Sequence, residues 1–244
     1  PKHWALLGNK NNKIQIMATK KVQGAPEEVA VALSNSEAFF NKNKKAIIGA
    51  VIALIVLIVG VFVYNNYVSS PREAKASTAL AKAQELFNTE QFDKAAPEFQ
   101  KVISDFGGTD ASNLANLYLG LCYANMDKWE DAVKYLDNYS TADDAIVSPA
   151  ATAALGNAYA HTGNLDKAVS ALKKAASMAD SKSLNGANYT ISATFLIQAG
   201  TILESQNKND EALELYKEVK AKYVNAPQVQ SKEIDKYIER LSQK

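Results

Sequence analysis

The 244-residue chain has one cysteine, Cys122, so no disulfide can form within it. It has two histidines, His3 and His161, which lie in different regions and form no metal cluster with Cys122. Chemistry that depends on a histidine triad or a His/Cys metal site is therefore poorly supplied, and no catalytic constellation can be assembled from the remaining residues. The formal net charge is only +1. The chain as a whole thus lacks the basic surplus that binding to nucleic-acid phosphates requires. With 47% hydrophobic and 22% charged residues, the composition is that of an ordinary folded protein.

That near-neutral average conceals two different objects. Residues 1–64 hold eight Lys/Arg against three Asp/Glu, a net +5, while residues 65–244 hold 19 against 23, a net −4. At their junction, Ala46 to Tyr64 reads AIIGAVIALIVLIVGVFVY, nineteen residues without a charge. As a helix rising about 1.5 Å per residue, it spans about 28 Å, close to the hydrocarbon thickness of a bilayer. A buried core helix seldom lacks a polar face for five turns. The run lies far from the start of a signal peptide's range and has no small-x-small exit, so it reads as a single transmembrane helix. Lys42, Lys44 and Lys45 abut its N-terminal end, with Lys20 and Lys21 behind them. By the positive-inside rule, residues 1–45 stay cytoplasmic and residues 65–244 are exported.

Within the tail, Glu27 to Phe40 is partly amphipathic, and Ser36 is placed to cap a turn carrying Phe39 and Phe40 to the membrane surface. Met17-Ala-Thr-Lys-Lys has the form of a natural translation start, which would leave residues 1–16 outside the native chain. Residues 65–75 read as a linker, and residues 76–244 as an all-α domain.

A repeat runs through that domain. Four helix starts end in an alanine: Ala95, Ala132, Ala168 and Ala212. Twelve residues before each stands a small residue (Ala83, Gly120, Gly156, Gly200), and nine before it a large one (Leu86, Tyr123, Tyr159, Leu203). Four residues after it comes Phe99, Leu136, Leu172 or Tyr216. The small residue lets two helices of a hairpin approach, the alanine sits at their crossing, and the large residues fill the gaps. The repeats are expected at about 76–108, 112–145, 149–180 and 188–225. The alanines lie 37, 36 and 44 residues apart, so the connections are longer than a regular solenoid needs. Pro97 falls inside the second helix of the first repeat, which should kink that helix or delay its start. A capping helix is expected over 228–242, with Val229, Ile234, Ile238 and Leu241 on its apolar stripe.

Leu119-Gly120-Leu121-Cys122-Tyr123 with Trp129-Glu130-Asp131-Ala132, and Leu155-Gly156-Asn157-Ala158-Tyr159 with Gly163 and Ala168, resemble the tetratricopeptide repeat (TPR) family. The resemblance implies an α-solenoid of four helical hairpins and a peptide-binding groove lined by the first helix of each. Carried onto this chain, the groove positions are Leu80, Gln84, Phe87 and Asn88; Leu114, Leu117, Leu121 and Asn125; Asn157 and His161; and Ile197, Thr201 and Glu204. Asn157 holds one position of the carboxylate clamp some members use, but no groove lysine accompanies it. His161 otherwise reads as a solvated side chain and Cys122 as a small packed one.

The order of basic tail, single helix and exported repeats also resembles the YfgM-type ancillary subunits of the bacterial Sec translocon. That resemblance implies an inner-membrane protein with its TPR domain in the periplasm. Its neighbours would be the translocon and a periplasmic prolyl isomerase, and it would assist unfolded polypeptides without any cofactor. The alternative is a TPR scaffold that organises an envelope assembly for cell-wall synthesis, division or outer-membrane biogenesis.

Overall fold

The computed structural model describes residues 52–243, apart from the side chains of 66 and 67, together with positions 43, 46, 49 and 50. The expectations for the tail, for the amphipathic stretch Glu27 to Phe40, for the flanking lysines and for the start at Met17 lie outside the described residues. The chain divides into two units, Pro1–Val63 and Tyr64–Lys244. In the first, residues 52–63 are helical and exposed. Among the described residues no helix is long and apolar enough to cross a membrane, and the expected span 46–64 is described only in part.

Among the described residues of the second unit the regular structure is all helix. It opens with a π-helical turn, Asn65–Ser69, and then α1 (Ser70–Asn88). The expected linker 65–75 is therefore helix. Pro71 stands at the head of α1, where the π-helical turn passes directly into the α-helix. There follow α2 (Phe92–Asp105), α3 (Asp110–Asn125), α4 (Trp129–Asp137), α5 (Val147–His161), α6 (Leu165–Ser181), α7 (Ser192–Ser205) and α8 (Asn209–Lys222). Each helix packs chiefly on its neighbours in sequence, the arrangement of an α-solenoid.

The repeat columns are what hold each hairpin shut. The four alanines and Phe99, Leu136, Leu172 and Tyr216 are all buried. A methyl group added to Gly120 would stand 2.6 Å from Leu136 Cγ and 3.0 Å from its backbone nitrogen. At Gly156 it would meet Leu172 Cγ at 3.0 Å, and at Gly200 the ring of Tyr216. The first hairpin accommodates Ala83 instead, fully buried in a cluster that also holds Phe99. In α2 the helix starts on time at Phe92 and runs through Pro97, so only the bond to the Asp93 carbonyl is forgone.

Every hairpin turns in the same way. The second residue after each first helix reverses through a positive φ: Glu90 (57°), Asp127 (57°), Gly163 (77°) and Asn207 (58°). The next N–H then returns to the carbonyl of the large column residue: Gln91 to Leu86 at 2.9 Å, Lys128 to Tyr123 at 2.9 Å, Asn164 to Tyr159 at 2.8 Å and Lys208 to Leu203 at 3.0 Å.

The expected capping helix is two pieces, α9 (Pro227–Gln230) and α10 (Glu233–Ser242), separated by Lys232 at φ 60°. The break resets the helical phase, so that Ile234, Tyr237, Ile238 and Leu241 form one stripe packed in the C-terminal core.

Candidate functional site

The expected groove residues all lie on the first helix of a hairpin, and the structure sorts them into three groups. Leu80, Leu117 and Ile197 are core, with 5%, 6% and 9% of their surfaces exposed. They occupy one equivalent position per repeat, where the helix turns inward onto its neighbours, and so cannot line a groove. Phe87 is half-buried in an aromatic cluster, edge-on to Phe92 at 5.3 Å and to Tyr118 at 5.2 Å. Leu114 is likewise half-buried against the core.

Glu204 is committed elsewhere. Its carboxylate accepts from the Tyr216 hydroxyl at 2.7 Å and from Arg240 Nη2 at 2.6 Å, which ties α7 to the second helix of its own hairpin and to α10. Burial, followed by this bond, pushes the Tyr216 phenol up from its ordinary pKa. It anchors the cap rather than a ligand.

The remainder are accessible: Gln84, Asn88, Leu121, Asn125, Asn157, His161 and Thr201 are exposed or half-exposed along the stripe the resemblance implies. These residues include no Asp, Glu, Lys or Arg and are rich in amides, the groups that pair with a peptide backbone. Two are pinned locally: Asn125 Nδ2 donates to the Leu121 carbonyl at 2.8 Å, and Thr201 Oγ1 to that of Gln198 at 2.8 Å. His161 stacks on Trp129, with centroids 3.6 Å apart and planes 5° from parallel. That stack joins the second hairpin to the third. Trp129 belongs to the repeat signature, but its role here was not foreseen because its partner is 32 residues away.

Three surface clefts, of about 450, 680 and 360 Å³, lie away from this stripe. The largest is set against α6 and α8 and lined by Lys173, Asp210, Glu211, Glu214, Lys217 and Glu218, among others. Beside the first is Asp180, a buried carboxylate that accepts from Asn188 N at 2.8 Å, Lys222 Nζ at 2.5 Å and the Tyr223 hydroxyl at 2.7 Å. Burial works to raise its pKa, but the bonds from Lys222, Tyr223 and Asn188 together hold it below the ordinary value. Burial, then the bond to Asp180, pushes Tyr223 up. Nothing in the local sequence marks Asp180, because its side-chain partners stand 42 and 43 residues away.

Cys122 is fully buried, and burial pushes its thiol up to about 12, the state of an inert thiol. Among the described residues no group of three or more His, Cys, Asp or Glu is placed to hold a metal ion.

Residues 28–233 match a family described as the N-terminal domain of the T7SS ESX-1 secretion system protein EccA1. No curated protein matches the sequence. Among solved structures, nearly identical TPR-like repeats of a Podosopora anserina protein assigned as a kinesin light chain share 15% identity and a TM-score of 0.55. The alignment covers 70% of this chain and 87% of that one. MamA shares 19% identity and a TM-score of 0.50 over 69% and 86% of the two chains. At such identities the likeness establishes the fold, an all-α solenoid of TPR type.

Proposed function

The chain belongs to the family of the EccA1 N-terminal domain, and from that premise we propose that it is a membrane-tethered module that binds protein segments during export. The coarser part, a protein-interaction role, rests on the TPR-type solenoid and its amide-rich stripe. The finer part places residues 1–45 in the bacterial cytoplasm, 46–64 across the inner membrane and the repeats in the periplasm. There they would receive unfolded or emerging polypeptides beside the Sec translocon, with a periplasmic prolyl isomerase as a neighbour. The reading assigns no reaction and no cofactor to the chain.

One observation carries it. From Ile52 to Tyr64 each large apolar side chain is between 46% and 65% exposed, so among the described residues this helical stretch buries none of them and has no polar face. Such a surface is stable in lipid and not in water. The family's own description names a secretion system, which agrees with a role in export. A tether also raises the local concentration of the stripe near an exit pore, so weak holding of non-native chains suffices.

A second reading is a scaffold that binds one folded envelope protein. It is favoured by the cleft on α6 and α8, which lies on second helices rather than on the stripe.

Photo-crosslinking in cells from Leu121 and from Ala53, read by mass spectrometry, separates the two. Diverse exported chains from Leu121, with translocon subunits from Ala53, are the expected result. A single folded envelope protein from Leu121, without translocon from Ala53, leaves the scaffold alone.

A further inference from the structure

The long edges of the solenoid differ. One carries the turns inside the hairpins; the other carries the start of α1 and the connections between hairpins. Bonds join that second edge from end to end. The Glu73 carboxylate accepts from Asp110 N and Ala111 N, both at 2.9 Å. Asn113 and Ser140 exchange two bonds of 2.8 Å. Asp143 pairs with Lys182, and Asp180 with Lys222 and Tyr223. The start of α1, three connections and the end of α8 are thus one continuous border.

Among the described residues from Tyr64 onward, six large apolar side chains are exposed: Tyr64, Val68, Ile146, Val147, Leu184 and Val224. Ile146, Val147, Leu184 and Val224 lie on this border, Tyr64 and Val68 on the segment that leads into it, and none on the edge that carries the hairpin turns. Ile146 is 70% exposed and Leu184 is 105% exposed. Sequence economy does not explain this, since both stand in connections where a polar residue would serve the backbone equally well.

We propose that this border rests on the lipid surface, with Ile146, Val147 and Leu184 entering the interface of the bilayer. The inference rests on the membrane reading above. Its occupant follows from the chain itself: the border includes the point where the solenoid leaves the apolar run. Only five residues lie between Tyr64 and Ser70, a span that even fully extended reaches only about 20 Å. A border tethered that closely, with these exposed apolar side chains upon it or on the segment that leads into it, fits a bilayer surface better than a distant protein. Docking fixes the repeats on the membrane with the amide stripe open to the compartment.

The test uses the full chain in vesicles of phosphatidylcholine and phosphatidylglycerol with brominated acyl chains. Ile146→Cys and Leu184→Cys carry an environment-sensitive fluorophore, and Asp93→Cys on the opposite edge serves as the control. Cys122 is buried and stays unlabelled. Interfacial groups sit about 5–10 Å into the headgroup boundary, so the probes at 146 and 184 should lose roughly half their emission while that at 93 is unchanged. Adding Leu184→Asp, a substitution at a fully exposed side chain, should reduce quenching at 146. If the chain floats with the vesicles but 146 and 184 report water, or if 93 is quenched equally, the docked border is wrong and the tether stands. If the chain does not float, the tether and the border fall together.

Discussion

The turns within hairpins and the connections between them are built on opposite principles. The four turns share one hydrogen bond and one positive-φ residue, although their sequences differ: Thr89-Glu90-Gln91, Met126-Asp127-Lys128, Thr162-Gly163-Asn164 and Gln206-Asn207-Lys208. No two connections are alike. The first is closed by Glu73, reaching from α1 to cap α3. The second is closed by Asp144, whose carboxylate accepts from Ile146 N, Val147 N and Ser148 N at the start of α5. The third is closed by Asp180, with Asn188 capping its own turn through Thr190 N and Ile191 N. A turn serves two helices already held by the repeat columns, so backbone geometry suffices. A connection must set one hairpin on the next, and each recruits its own carboxylate to satisfy the backbone donors at a helix start.

The contrast breaks most severely at Asp180. Asp180→Ala removes the acceptor of three bonds and leaves the buried Tyr223 hydroxyl unpaired, so a loss of about 3 kcal/mol is expected in urea unfolding. The same group makes stability depend on acid. Its folded pKa lies below 3.8, so its contribution is present above that value and is lost as pH falls through the folded pKa. Asp180→Asn should therefore flatten the fall in urea midpoint as pH drops from about 5 to about 2. An unchanged acid slope would assign the effect to other carboxylates, of which Asp144 is also held low.

Next in size is a blow to the hairpins themselves. Gly200→Ala drives a methyl group into the Tyr216 ring, which cannot swing aside while its hydroxyl is bonded to Glu204. Overpacking of this kind costs about 1–3 kcal/mol. The accompanying readout is a loosened α10, seen as faster amide exchange at Ile234 and Leu241, because Tyr216 and Glu204 hold the cap. Full stability in Gly200→Ala would mean that the column is a preference of sequence and not a steric limit.

This same contrast explains what could be read from the sequence. The columns of small, large, alanine and large residues are legible because they recur at fixed spacing, and their packing follows from helix geometry alone. A groove position is less legible, since one helical face must be divided between core and solvent. Leu80, Leu117 and Ile197 fall on the buried side of that division. Glu204 was read as a groove residue because Tyr216 and Arg240 are 12 and 36 residues distant. Asp180 and the break at Lys232 carry no periodic signal at all. Each is dictated by contacts that exist only after the hairpins have stacked.

The smallest effect tests whether the four turns are truly equivalent. All four demand a left-handed residue, but the chain fills the position with Glu, Asp, Gly and Asn. Glycine adopts that conformation without strain and Asn or Asp tolerate it, whereas Glu90 has a long side chain and no local bond that favours it. Glu90→Gly should relieve about 1 kcal/mol of strain and return part of it as unfolded-chain entropy, for a net gain of about 0.5 kcal/mol. Gly163→Glu should lose a similar amount. If backbone geometry alone governs the turns, the two shifts will be nearly equal and opposite in the urea midpoint. If Glu90→Gly destabilises instead, the first turn draws support from its neighbours, as the connections do, and the division between the two edges is one of degree.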